Sequence, residues 1–112
     1  MKAIISDIHG NLEALRAVLD DIDHLGIKDI ICLGDVIGYG PEPRECLDII
    51  KNLASFVILG NHEEAVLQGC PTTFTPRARK AIDWTRQVLL EDPKEQQSLR
   101  DERRKQMQGF KI

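Results

Sequence analysis

Cysteine is scarce: Cys32, Cys46 and Cys70 are the only three, and no C-x-x-C spacing occurs. An odd, scattered set excludes a disulfide scaffold and a thiolate metal cluster. Cys32 and Cys46 read as small buried hydrophobes, and Cys70 as a loop residue. No stretch approaches the roughly 20 apolar residues of a membrane span. The only N-terminal apolar run, Ala3-Ile4-Ile5, ends at Ser6-Asp7 and falls short of the about 7–15 residues of a signal peptide. The expected location is therefore the cytoplasm. Basic excess is also absent: the net charge is −3, which argues against general nucleic-acid binding. The loop after the first apolar run is Asp7-Ile8-His9-Gly10-Asn11. It is not the G-x-G-x-x-G cradle of a dinucleotide-binding domain. Histidine occurs only at 9, 24 and 62.

What remains is the composition of one small globular domain: 112 residues, 42% hydrophobic and 29% charged. Residues 2–6, 29–33 and 56–59 read as short apolar strands. Between them Leu12, Leu15, Val18, Leu19, Ile22 and Leu25 recur at helical spacing, as do Cys46, Ile49, Ile50 and Leu53 over 43–53. Asn11 and Gly26 suit the two ends of the first helix, and His24 suits its C-terminal dipole. A short helix is expected at about 62–68. Thr75-Pro76 should start another, with Ala78, Ala81, Ile82, Thr85, Val88 and Leu89 on one face.

The order β-α-β-α-β predicts an α/β fold with a parallel three-strand core and right-handed crossovers. Strands apolar throughout suggest a sheet covered on both faces. Composition changes after Pro93. Residues 1–93 carry 9 basic and 15 acidic side chains, whereas residues 94–112 carry 6 and 3. The expected division is a folded portion at 1–93 and a charged helical or frayed tail at 94–112.

Each strand ends in groups that bind hard or borderline cations: Asp7 and His9, then Asp35, then Asn61 and His62. A parallel sheet brings its carboxyl ends to one rim, where ligands gather. Carboxylate, imidazole and amide donors suit Mn, Fe, Zn, Co or Ni. Taken singly, Asp7, Asp35 and Asn61 could cap helices and the histidines could be surface residues. Five such residues at three successive strand ends point to a site.

Asp7-x-His9, Gly34-Asp35-x-x-Gly38 and Gly60-Asn61-His62-Glu63 together resemble the calcineurin-like metallophosphoesterase superfamily, over about Met1 to Leu90. Gly38-Tyr39-Gly40-Pro41 is similar to the small bacterial phosphoesterases. The Asp-Arg-Gly of eukaryotic protein Ser/Thr phosphatases has no counterpart after Asp35. The resemblance implies two divalent metal ions about 3.5–4 Å apart. Asp7 and His9 would bind the first, Asp35 would bridge both and Asn61 would bind the second. His62 would be the general acid, or would stabilise the leaving oxygen. It implies metal-dependent hydrolysis of a phosphoester, with phosphomonoesters, phosphodiesters, dinucleoside polyphosphates and phosphoproteins all open as substrates.

The family pattern goes on to a Gly-His and a Gly-His-x-His that this sequence does not contain. The expectation is therefore the first half of a four-layer α/β/β/α fold, with four metal ligands and weak metal occupancy. The alternative is a half-domain without turnover, serving as an interaction or structural module. Either way one sheet face should be left open. It should then drive self-association or pairing with a missing C-terminal half, or be covered by the stripe at 78–89.

Overall fold

A computed structural model describes all 112 residues. Three strands, β1 (Lys2–Ile5), β2 (Asp29–Cys32) and β3 (Ala54–Val57), form one parallel sheet in the order β1-β2-β3. Helix α1 (Leu12–His24) and helix α2 (Pro43–Leu53) make the crossovers. Helices α3 (Asn61–Gln68) and α4 (Pro76–Arg86) follow, then a π-helical turn at Gln87–Glu91 and helix α5 (Gln97–Gln108). No helix is long and apolar enough to cross a membrane.

The local signals act as the chemistry dictates. Asn11 accepts from the Ala14 N–H at 3.0 Å, and Thr75 accepts from the Ala78 N–H at 3.1 Å. Gly26 closes α1 with φ +71°. The third strand begins earlier than its apolar run. Ser55 donates to Asp29 Oδ1 at 2.6 Å and also reaches the Ile30 carbonyl, and the register slips between Ile30 and Ile31. That irregularity brings Ala54 into the ladder. Ile58 instead bridges Lys111, so residues near the C-terminus line the free edge of β3.

Ile5, Cys32 and Val57 share one register row. They pack into the core with Leu12, Leu15, Cys46, Leu47, Ile50, Val66, Leu89 and Met107. The opposite face is not covered. Ile4, Ile31 and Phe56 form the next row, with Ile4 64% and Phe56 43% exposed. Apolar strands thus reflect a sheet with helices on one side and bare hydrocarbon on the other. Nor does the 78–89 stripe cover that face. Its Ala78, Ile82, Thr85 and Leu89 are buried, and the helix packs against α3 and the π-helical turn.

The segment after Pro93 is docked rather than solvated all round. Met107 is fully buried, and Arg103 and Phe110 nearly so. Arg103 pairs with Glu95 and also donates to the Leu89 carbonyl at 3.4 Å. Arg44 of α2 reaches Asp92 at 2.9 Å and Glu95 at 3.2 Å. A stripe of few apolar residues is enough here because ion pairs and backbone contacts complete the seam. Met107→Ala is accordingly expected to cost about 2–5 kcal/mol, read from the urea midpoint. A change within about 0.5 kcal/mol would mean a solvated helix.

Candidate metal centre

The loops at the carboxyl ends of β1 and β2 are laced to each other by backbone hydrogen bonds. Asp7, His9 and Gly10 donate to the carbonyls of Gly34, Asp35 and Val36 at 3.2, 2.9 and 2.8 Å. Ligand atoms of Asp7, His9 and Asp35 lie within 4.8 Å of one another. All three residues have left-handed backbones, with φ of 56°, 50° and 54°, and Tyr39 follows at 69°. Non-glycine residues seldom adopt that region; four of them in adjoining loops mark a site shaped by its side chains.

His9 Nδ1 lies 3.1 Å from the Ile37 carbonyl. A carbonyl only accepts, so Nδ1 carries the proton, and the lone pair of the neutral ring is on Nε2. That nitrogen sits 3.4 Å from Asp7 Oδ1. Two electron-rich atoms so placed call for a cation between them. A ligating histidine held through its other nitrogen is the usual arrangement at metal centres. The residues therefore fit a borderline divalent ion. The Ser6 hydroxyl donates to Asp7 at 2.7 Å. This bond, opposed by slight desolvation and reinforced by His9, holds the Asp7 carboxyl below its usual range.

Asp35 is tied to the third strand end. Its Oδ1 accepts from the His62 N–H at 3.0 Å, which leaves Oδ2 for a ligand. Gly60 permits that approach, since a Cβ there would stand 2.3 Å from Asp35 Oδ1 and from its N. Asn61 is the first residue of α3 and is exposed beside a groove.

His62 is 8% exposed. Burial, with His9 close by, pushes its pKa down. Its Nδ1 is buried against Gly38 with no hydrogen-bond partner. A proton there would be orphaned, so the neutral ring carries its proton on Nε2. The ring packs among His9, Tyr39 and Phe74, with centroid separations of 4.6, 4.9 and 5.8 Å. His24 is far from this group in sequence and exposed at the end of α1, near the Asp20 carbonyl. The buried Cys46 thiol is pushed up to about 11 by desolvation, so it offers no nucleophile.

The residue that composition and spacing passed over is Glu63. It is fully buried. Oε1 accepts from Asp35 N at 2.8 Å and Gly60 N at 3.1 Å, and Oε2 from Ile37 N at 3.3 Å. One carboxylate thus clamps the Asp35 loop to the start of α3. Burial pushes its pKa up to about 6 despite those three donors. The available signal was a glutamate three residues after the helix cap, the position of a capping box.

A family profile described as calcineurin-like phosphoesterase matches residues 3–105. The chain belongs to that family. It is similar to a metallophosphoesterase from Sphaerobacter thermophilus, with a TM-score of 0.73 and 37% identity over 97% of this chain and 40% of that one. It is 49% identical over 90 residues to an uncharacterized protein of Methanocaldococcus jannaschii, covering 80% of this chain and 37% of the relative. It is 32% identical over 109 residues to the symmetrical bis(5'-nucleosyl)-tetraphosphatase of Escherichia coli O1:K1, covering 82% of this chain and 39% of the relative. The chain thus spans about two-fifths of the length of these relatives.

Proposed function

We propose that this chain supplies the first-strand, second-strand and third-strand ligands of a metal-dependent phosphoesterase. The supporting observation is the convergence of Asp7, His9 and Asp35 ligand atoms within 4.8 Å. Asp7 and His9 would hold one ion, Asp35 would bridge to a second and Asn61 would hold that one through its amide oxygen. When bound, such ions neutralise phosphoryl charge and make hydroxide available near neutral pH.

The chain's own groups do the rest. The Ile37 carbonyl fixes the His9 tautomer, and Glu63 fixes where Asp35 stands. Water would attack phosphorus, losing a proton to solvent, as the ester P–O bond breaks on the side of His62; the His62 Nε2–H would donate a hydrogen bond to the leaving oxygen, which takes its proton from solvent. A neutral, buried ring favours the stabilising role over outright proton release. Manganese is the ion proposed for testing, and the cytoplasm is the proposed setting.

The test is hydrolysis of an aryl phosphate with added Mn²⁺, by this chain and by a protein carrying the full length of its relatives. The 112-residue chain should turn over little substrate, the longer protein much more. In the longer protein Asp35→Asn should cost more than His62→Ala, itself worth about 10²–10³ in kcat as one preorganised donor. Turnover untouched by Asp35→Asn would sink the reading.

A second reading, an interaction module without turnover, draws on the bare row Ile4, Ile31 and Phe56. Its occupant would be a second copy of the chain, paired about a two-fold axis. Light scattering at several concentrations separates the two: a concentration-independent monomer removes it.

A further inference from the structure

Of the four non-glycine residues with a left-handed backbone, Tyr39 alone is not a proposed ligand. Its turn is unusual. The Gly40 N–H donates to the Gly38 carbonyl at 2.9 Å across Tyr39, whose φ is 69°. A hydrogen bond between residues two apart around a positive φ makes a γ-turn of the rare, strained kind. Burial does not account for it, since Tyr39 is 54% exposed and stands outside the hydrophobic core. Strain that burial does not repay points to function.

All three residues of the turn meet the two histidines of the site. A Cβ on Gly38 would overlap His62 Nδ1, so the bare Cα is the seat of that nitrogen. The Tyr39 ring lies 5.4 Å from the His9 ring and 4.9 Å from the His62 ring. The Gly40 N–H also donates to the His9 carbonyl at 2.7 Å. Phe74, the other ring against His62, does not reach His9. The turn is thus hung on the backbone of one histidine and pressed against the ring of the other.

Resting on the phosphoesterase reading, we infer that Tyr39 is a positioning residue for His62: its ring holds the His62 imidazole 4.6 Å from that of His9, with Nδ1 seated on Gly38. Only Nδ1 is enclosed without a partner, which leaves Nε2 as the nitrogen able to donate. An imidazole free to turn about its Cβ–Cγ bond would present either nitrogen at the reacting ester. A donor misplaced by about 1 Å loses much of its effect on the rate. The contact is made by the ring, so phenylalanine should serve in place of tyrosine.

The experiment has two arms. The first reads nuclear Overhauser contacts between the His62 ring and the Gly38 α-protons in the metal-free 112-residue chain. Tyr39→Asn removes the ring but keeps a residue that tolerates positive φ. It should weaken those contacts and leave the amide spectrum of the strands and helices in place, whereas Tyr39→Phe should preserve them. Undiminished contacts in Tyr39→Asn, or their loss in Tyr39→Phe, would overturn the inference. The second arm measures kcat at saturating Mn²⁺ in a protein carrying the full length of its relatives, with p-nitrophenyl phosphate and with phenyl phosphate. Nitrophenolate is the better leaving group and needs the His62 donor less. Tyr39→Asn should lower kcat about tenfold for phenyl phosphate and less than about threefold for the nitrophenyl ester, with KM unchanged. Tyr39→Phe should match the native protein on both. An equal loss on the two esters, or no loss on either, overturns the inference. If Tyr39→Asn fails to fold, Tyr39→Gly is read in the same way. A longer protein without metal-dependent turnover would remove the phosphoesterase reading, and the first arm would still decide whether Tyr39 positions His62.

Discussion

Replacing Glu63 with alanine is expected to cost about 3–5 kcal/mol, because one buried and two half-buried N–H groups lose their acceptor and a cavity opens between β2 and α3. Those donors belong to Asp35, Ile37 and Gly60. Set against a typical total of about 5–15 kcal/mol, that is roughly a fifth or more of the fold's stability. Glu63→Gln keeps one acceptor oxygen and should cost less. Its pH behaviour is diagnostic. The Glu63 carboxyl is pushed up to about 6 in the folded chain, from its ordinary 4.5. The folded state therefore binds the proton more tightly. The stability this adds is complete below the unfolded value and is lost as pH rises through about 6. Glutamine does not titrate, so the gap between the native chain and Glu63→Gln should widen by about 2 kcal/mol as pH falls from about 7 to about 4.5. Denaturant midpoints at three pH values measure it. A constant gap would mean that the carboxyl titrates as it does in water.

Metal addition should have the second large effect. A ligand that binds only the folded chain adds RT ln(1 + [L]/Kd), or about 2.7 kcal/mol at a hundred times its dissociation constant. Mn²⁺ should therefore raise the melting temperature of the native chain in a concentration-dependent way, and a chelator should reverse it. Asp35→Ala should abolish the increment, since Asp35 is the residue tied both to the His9 loop and to α3. Stabilisation that survives Asp35→Ala would place the ion somewhere else.

Much of this fold was legible because its signals are local. Asn11, Gly26, Thr75 and Pro76 act within one turn of chain, and the periodic apolar faces of α1 and α2 report burial directly. The convergence of Asp7, His9 and Asp35 was legible too, because strand ends of a parallel sheet share one rim. What stayed hidden depends on pairings between distant segments. The register slip at Ser55 needs Asp29 across the sheet. Docking of α5 depends on Arg44 and Arg103 meeting Asp92 and Glu95, whereas charge alone reads as a solvated face. The clamp of Glu63 depends on a loop 26 to 28 residues earlier in the chain. The bare side of the sheet was expected from the family pattern and not from the strands themselves, because an apolar strand looks the same whether both of its faces are packed or only one.

The left-handed backbones of Asp7, His9, Asp35 and Tyr39 set stability and function against each other. Glycine tolerates that conformation where other residues are strained, at roughly 1–2 kcal/mol per residue and less for aspartate. Tyr39→Gly relaxes the backbone and removes the ring that packs on His9 and His62. At Asp7, His9 and Asp35 the same relief deletes a ligand. A search for stabilised variants of this chain that ignored metal binding would drift toward glycine at these positions, and would erase the site while improving the fold.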